Sequence, residues 1–502
     1  MGTAEIQIDS GKVAGIEAAP QVHAWLGIPF AAPPTGELRF RAPQPAVAWQ
    51  GVRQCDRYGN ACVQHGMPAN AIMKQFSFED PPECGTSEDC LYLNVWAPQS
   101  ARVAKLPVMV FLYGGGHRVG SGSHPVSRGT GLAARGAVVV TFNYRLGALG
   151  YLAHPELSRE SGTSGNYACL DAIAALSWVK RNIAAFGGDP DCVTIFGQSA
   201  GAALVNVLMV SPLAKGLFHR AITHSSGRFE VGAGPVIKTL AEAEKTGVEI
   251  CAKLGAQTLA ELRALPADAI DAPRGFWGPI VDGRFLCDQV HALFARGEQH
   301  DVPLLAGYTA NEASPYATPE LHTREAFLAN ARKTYGQRAD EFLALFPATD
   351  DNTAIASSYA LRRDSGFAYQ TWKFAQMHAK HAKSPVYLFN FMRAVPFAEG
   401  TRFHEPVPPG GYGAYHGAEL WYAFDTLDAM ACPWQDADRN LAATVSSAWV
   451  EFARSGKPEA AGLASWPDFR DGGQAMALGQ SSRVAAPFNA PALKFFDDFY
   501  SH

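Results

Sequence analysis

The 502-residue chain holds nine cysteines but no C-x-x-C pair and no His-containing zinc spacing, so neither a metal site nor a cofactor is implied. No apolar run reaches the roughly 18 residues of a membrane helix. The opening stretch MGTAEIQIDSGKV has neither the basic nor the apolar region of a signal peptide. Basic runs are missing too. With 42 Lys and Arg against 47 Asp and Glu the net charge is -5, which excludes the electrostatic footprint of a nucleic-acid or anionic-membrane partner. There is no Asn-x-Ser/Thr acceptor site, no internal period and no low-complexity linker. The MGT start resembles a cloning remnant, which leaves a periplasmic or secreted origin open, with the cytoplasm as the alternative.

What is present suits a large buried core: 47% of residues are hydrophobic and 18% charged. Length alone suggests about three domains, yet α/β enzymes built on one continuous sheet often exceed that size, and no clean boundary is visible. The expectation is one unit over 1–502 with helical insertions. The stretches LPVMVFLY (106–113), GAVVVTFNYRLG (136–147), CVTIFG (192–197), VPLLAGYT (302–309), PVYLFNFM (385–392) and QAMALG (474–479) read as strands buried on both faces. Between them, Ile173, Leu176, Val179, Ile183 and Phe186 recur at helical spacing, and Gly187-Gly188 end that helix. Further helical stretches fall at 239–265, 320–345 and 438–456. Strand, helix, strand in this order implies parallel pairing with right-handed crossovers, and hence an α/β fold with a large, mostly parallel mixed sheet wrapped by helices.

One segment carries chemistry. In TIFGQSAGAALV (194–205), Gly197, Ser199 and Gly201 alternate where a strand wants bulk and a helix wants Ala or Leu. A strand that turns sharply into a helix strains its corner residue and needs small neighbours so that other backbone can pass. The corner lifts the Ser199 hydroxyl above the sheet edge, and the helix start offers unpaired N–H groups to a developing oxyanion.

The segments SEDCLYLNVWAP (87–98), FLYGGGHRVGSGS, TFNYRLGALGYL, SGNYACLDAIAALSWVKRNIAAFGGDPDCVTIFGQSAGA, GPIVDGRFL and GAYHGAELWYAF resemble, in order and spacing, the type-B carboxylesterases. That resemblance spans nearly the whole chain. It implies an α/β-hydrolase fold and a Ser/Glu/His triad made of Ser199, Glu312 and His416. In such a triad His416 takes the Ser199 proton during attack on an ester and returns it to the leaving alcohol, while Glu312 orients the imidazole; water then releases the acyl group. The resemblance places the oxyanion hole at the N–H groups of Gly115, Gly116 and Ala200, each worth about 3 kcal/mol of barrier. At the acid, Asn311-Glu312-Ala313 stands where the family usually has Asp-Glu-Gly, and Asp282 and Asp364 are alternatives. The resemblance also implies a Cys62–Cys90 bridge, with Cys55–Cys84 as a second and Cys251 left without its partner, and a structural Arg39–Glu88 pair.

Departures from the family speak to substrate. Cholinesterases have an acid before the nucleophile and a tryptophan in the cysteine-closed loop; Gln198 and FSFEDPPECG offer neither, which disfavours choline esters. His117 and Arg118 follow the oxyanion glycines and Arg228 lies where relatives build an acyl pocket. Guanidinium groups there suit an acyl chain bearing carboxylates, because Arg binds carboxylate through two parallel bonds. Esters of di- or tricarboxylic acids are therefore expected, fumonisin esters among them. Neutral esters, lipids and a non-catalytic binding role are the alternatives.

Overall fold

The computed structural model describes residues 5–68, 70–76, 84–100, 105–226, 229, 237–271, 275 and 277–501. Its centre is an 11-stranded sheet. In chain order the strands are β1 (Ile16–Ala19), β2 (Val22–Pro29), β3 (Tyr92–Pro98), β4 (Leu106–Leu112), β5 (Val138–Phe142), β6 (Gly188–Gln198), β7 (Arg220–His224), β8 (Leu304–Thr309), β9 (Val386–Phe391), β10 (Ala475–Leu478) and β11 (Arg483–Ala485). In space they run β11-β10-β9-β8-β7-β6-β4-β5-β3-β2-β1.

The strands from β5 through β4, β6, β7, β8 and β9 to β10 are mutually parallel. Antiparallel strands flank them: β3, β2 and β1 on one side and β11 on the other. The parallel core follows from burial. Every residue of β5, β8 and β9 is buried, and a strand covered on both faces has no polar side to give to solvent. Each of the six expected strands is found with its ends shifted by a few residues. The β7 strand, the antiparallel β1 to β3 and the edge strand β11 are additional. Of these, β1 pairs with β2 and β11 with β10 as local hairpins, whereas β3 and β7 pair across longer sequence distances that their local pattern does not record.

Topology locates the site. The chain leaves β4 for β5 on one side and returns to β6 on the other, so the loops after β4 and β6 diverge. At such a switch point an open α/β sheet has a crevice beyond its strand ends. Gly114–Gly116 follow β4, and Ser199 follows β6 at once.

The helix expected between β5 and β6 is Tyr167–Asn182, continued by a 3-10 turn at Ile183–Phe186 and ended by Gly187 with φ 86°. It anchors the loop after β5 through a buried ion pair. Arg145 Nε and Nη2 donate to the two Asp171 oxygens at 2.8 and 2.7 Å, and Arg145 N donates at 3.0 Å. The expected Arg39–Glu88 pair is also present, with Nε to Oε1 at 2.6 Å. Arg39 additionally donates to the Arg263 and Leu265 carbonyls at 2.7 and 2.6 Å.

The cysteine expectation is corrected. All nine cysteines are free. Cys62 and Cys90 are buried neighbours, but the Cys62 thiol lies 3.0 Å from the Tyr144 carbonyl and is hydrogen-bonded, not covalently joined. Burial, then the neighbouring Cys90, pushes that thiol well above its usual range. Cys84 instead contacts the Ser123 hydroxyl at 3.7 Å.

Removing one member of the Arg145–Asp171 pair leaves a buried charge unmatched. Asp171→Ala is expected to lower the unfolding free energy by about 3–5 kcal/mol in a denaturant titration; a loss below about 1 kcal/mol would show that the pair does not anchor the fold.

Candidate active site

At the end of β6 the backbone turns within one residue. Ser199 has φ 55° and ψ −121°, and the helix Ala200–Leu208 starts directly after it. A non-glycine residue held there costs about 1–3 kcal/mol. The turn is secured by two backbone bonds of 2.9 Å, Ser199 N to His224 O and Ala203 N to Ser199 O. The flanking glycines are demanded by proximity. A Cβ on Gly201 would lie 2.0 Å from the Leu112 carbonyl oxygen at the end of β4, and one on Gly197 would lie 2.5 Å from the Gly201 backbone. No side chain fits between the turn and the neighbouring strand.

Above the corner, the N–H groups of Gly115, Gly116 and Ala200 make no hydrogen bond to any described residue. They border the crevice that also holds Ser199, a cavity of about 780 Å³.

Glu312 and His416 meet behind the serine. Both are fully buried, and His416 Nδ1 lies 2.5 Å from Glu312 Oε2. The other carboxylate oxygen accepts from Thr309 N at 2.7 Å and from the Ser225 hydroxyl. Asp282 and Asp364, the alternative acids, are engaged elsewhere. Asp282 accepts from Phe285 N and Leu286 N, and Asp364 pairs with Arg363. The departure at Asn311 has a structural use: its N donates to the Ala414 carbonyl and its Oδ1 accepts from Ala414 N, both at 3.0 Å. This two-way latch joins the loop carrying Glu312 to the loop carrying His416.

With Nδ1 facing a carboxylate, the imidazole proton sits on Nδ1 and Nε2 is an acceptor. That acceptor faces the Gln198 amide nitrogen at 3.0 Å. Among the described residues no hydrogen bond joins Ser199 Oγ to His416. Phe76, Phe367 and Tyr316 pack around the imidazole, with centroid separations of 5.9, 4.6 and 5.5 Å.

Of the three residues expected at the acyl group, Arg118 lines the cavity. Arg228 lies outside the described residues. His117 is corrected: it is 1% exposed, and its Nδ1 is 2.9 Å from the Tyr151 hydroxyl. Its φ is 61°, and it is not among the residues that line the cavity. Sequence reasoning missed Ser225, a non-glycine residue with φ 54°, and the contact of Gln198 with His416. Nothing in the HSSG stretch marks Ser225, because its partner lies 87 residues away.

Two outcomes follow from this geometry. Ser225→Ala removes one of the three hydrogen bonds to Glu312, so kcat is expected to fall about tenfold or more with KM little changed; an unchanged kcat counts against Ser225 orienting the acid. Gly201→Ala is expected to cost about 3 kcal/mol of stability through overpacking, read as a lower denaturation midpoint.

Comparison with known proteins agrees with the fold. Residues 2–496 match the carboxylesterase family. The chain is 38% identical over 490 residues to the fumonisin B1 esterase of Sphingopyxis macrogoltabida, covering 94% of this chain and 85% of that protein. It is 34% identical to the para-nitrobenzyl esterase of Bacillus subtilis (strain 168), covering 92% and 91%. Among solved structures, a PNB esterase superimposes with a TM-score of 0.82 at 30% identity, over 98% of this chain and 99% of that one. The chain thus shares its α/β-hydrolase fold with these enzymes and belongs to the carboxylesterase family of carboxylic ester hydrolases.

Proposed function

We propose that this protein hydrolyses carboxylic esters through an acyl-enzyme on Ser199, with His416 as base and Glu312 orienting it, and that it favours esters whose acyl group carries a free carboxylate. The Glu312–His416 contact, with Nε2 left as an acceptor, is the single observation that most supports the triad. In this reading the Ser199 hydroxyl takes the place of the Gln198 amide on Nε2 as the substrate enters. His416 then accepts the Ser199 proton as Oγ attacks the carbonyl carbon. The resulting oxyanion is received by the N–H groups of Gly115, Gly116 and Ala200, which have no other acceptor to give up. Collapse of the tetrahedral species returns the proton from His416 to the leaving alcohol, and water repeats the sequence on the acyl-enzyme. The whole reaction sits within one α/β-hydrolase unit.

The carboxylate preference rests on Arg118. Its guanidinium borders the same cavity as Ser199 and has no carboxylate within ion-pair distance among the described residues. A substrate carboxylate would supply the missing counter-ion. The similarity to a protein named fumonisin B1 esterase supports the same class, polycarboxylic esters such as those of fumonisin. Neutral esters of the para-nitrobenzyl type are the competing substrates.

Ser199→Ala is expected to abolish the stoichiometric burst with p-nitrophenyl acetate; a persisting burst would move the nucleophile elsewhere. Arg118→Ala is expected to lower kcat/KM for a p-nitrophenyl hydrogen succinate ester by about 10- to 100-fold relative to the acetate ester. Equal loss for both esters would leave the neutral-ester reading.

A further inference from the structure

The cavity that holds Ser199 and Arg118 has a third charged element, contributed from far along the chain. Asp271 ends the short helix Ala267–Asp271 and lines the cavity, although the residue is only 4% exposed. It is built into the site. The nearby Ala148 amide favours its ionised form, and a Cβ at Gly147, where φ is +55°, would lie 1.8 Å from Asp271 Oδ1. Gly147 N in turn donates to the His117 carbonyl at 2.8 Å. The carboxyl group is therefore braced against the loop that carries Gly115, Gly116 and Arg118.

Three charged or titratable side chains act on this carboxyl. His65, largely exposed at the cavity wall, reaches Oδ2 with Nε2 at 3.5 Å. Arg118 attracts it from within the cavity, and Asp268 on its own helix repels it. Neither cation closes a tight pair, and burial outweighs them. The acid is pushed up to about 6, by desolvation first, with His65, the Ala148 amide and Arg118 pulling the other way.

We propose that Asp271 is a second determinant of acyl-group charge: as a neutral acid it donates a hydrogen bond to a substrate carboxylate held on Arg118, and as an anion it opposes that carboxylate. The inference rests on the Arg118 reading above and adds a direction to it. Discrimination in favour of carboxylate-bearing esters strengthens as the medium turns acidic. Because Asp271 is itself buried, its two protonation states differ by a full charge that solvent and salt screen only in part.

The measurement is the ratio of kcat/KM for p-nitrophenyl hydrogen succinate to that for p-nitrophenyl acetate, taken from pH 5.5 to 8. Any pH dependence common to both esters cancels in the ratio. For the parent enzyme the ratio is expected to rise about tenfold from pH 8 to pH 5.5, the span that a hydrogen bond to a charged group supports. In Asp271→Asn, whose amide can donate but not ionise, it is expected to stay high and nearly flat, and His65→Asn is expected to keep the parent's slope.

A flat parent profile overturns the proposal whether or not the variant folds. So does a slope that survives in Asp271→Asn, or one that disappears only in His65→Asn. If Arg118→Ala leaves the ratio unchanged at every pH, the carboxylate reading itself fails. If Arg118→Ala lowers the ratio while Asp271→Asn follows the parent, only the role of Asp271 fails.

Discussion

The close crossing of the β6-to-helix turn over the end of β4 is the constraint on which the rest of the site depends. Gly201 passes so near the Leu112 carbonyl that no side chain can stand between them. That approach brings the strained Ser199 beside the loop of Gly115 and Gly116, although the two lie more than 80 residues apart. Because β4 and β6 are neighbours in a parallel ladder, the sheet's register fixes the distance between Ser199 and the amides of Gly115 and Gly116. The strain at Ser199 is sustained by the ladder and by the backbone bond to His224, itself the last residue of the next strand.

A second set of contacts ties the acid and the base to the same frame. The ends of β7, β8 and β9 lie side by side. Ser225 follows β7 directly and donates to Glu312, while Thr309, the last residue of β8, donates its amide to the same oxygen. Asn311 then latches the two loops to each other. With one carboxylate oxygen occupied in this way, the other is free to hold His416 Nδ1. Burial of the pair strengthens the interaction, and the rings of Phe76, Phe367 and Tyr316 limit water around the imidazole. Ser199, Glu312 and His416 thus sit beyond strand ends whose spacing the ladder imposes.

The crevice above these strand ends is electrostatically mixed. Arg118 and His65 bring donors, and Asp271 brings an acid whose ionisation is resisted by burial. Charges on a partly buried wall of this kind are less screened by salt than those on the open surface.

Local patterning determined much of this protein. Runs such as VVVTF and LLAGYT must be buried on both faces and so become parallel strands, and small residues around Ser199 announce a turn too tight for bulk. In the triple glycine after β4, Gly115 and Gly116 answer to the local backbone through their positive φ, whereas Gly114 makes room for Gln198 and Ser199 from the neighbouring strand. What only the tertiary structure decided are the meetings between distant segments. Ser225 reaching Glu312, Gln198 facing His416, His117 turning towards Tyr151, and Asp271 standing opposite Arg118 all require loops from different strands to converge. So does the state of Cys62 and Cys90, neighbours that remain thiols. Such contacts depend on strand order and register in an 11-stranded sheet, and a linear pattern that specifies one strand's burial carries no record of which strand end it will face.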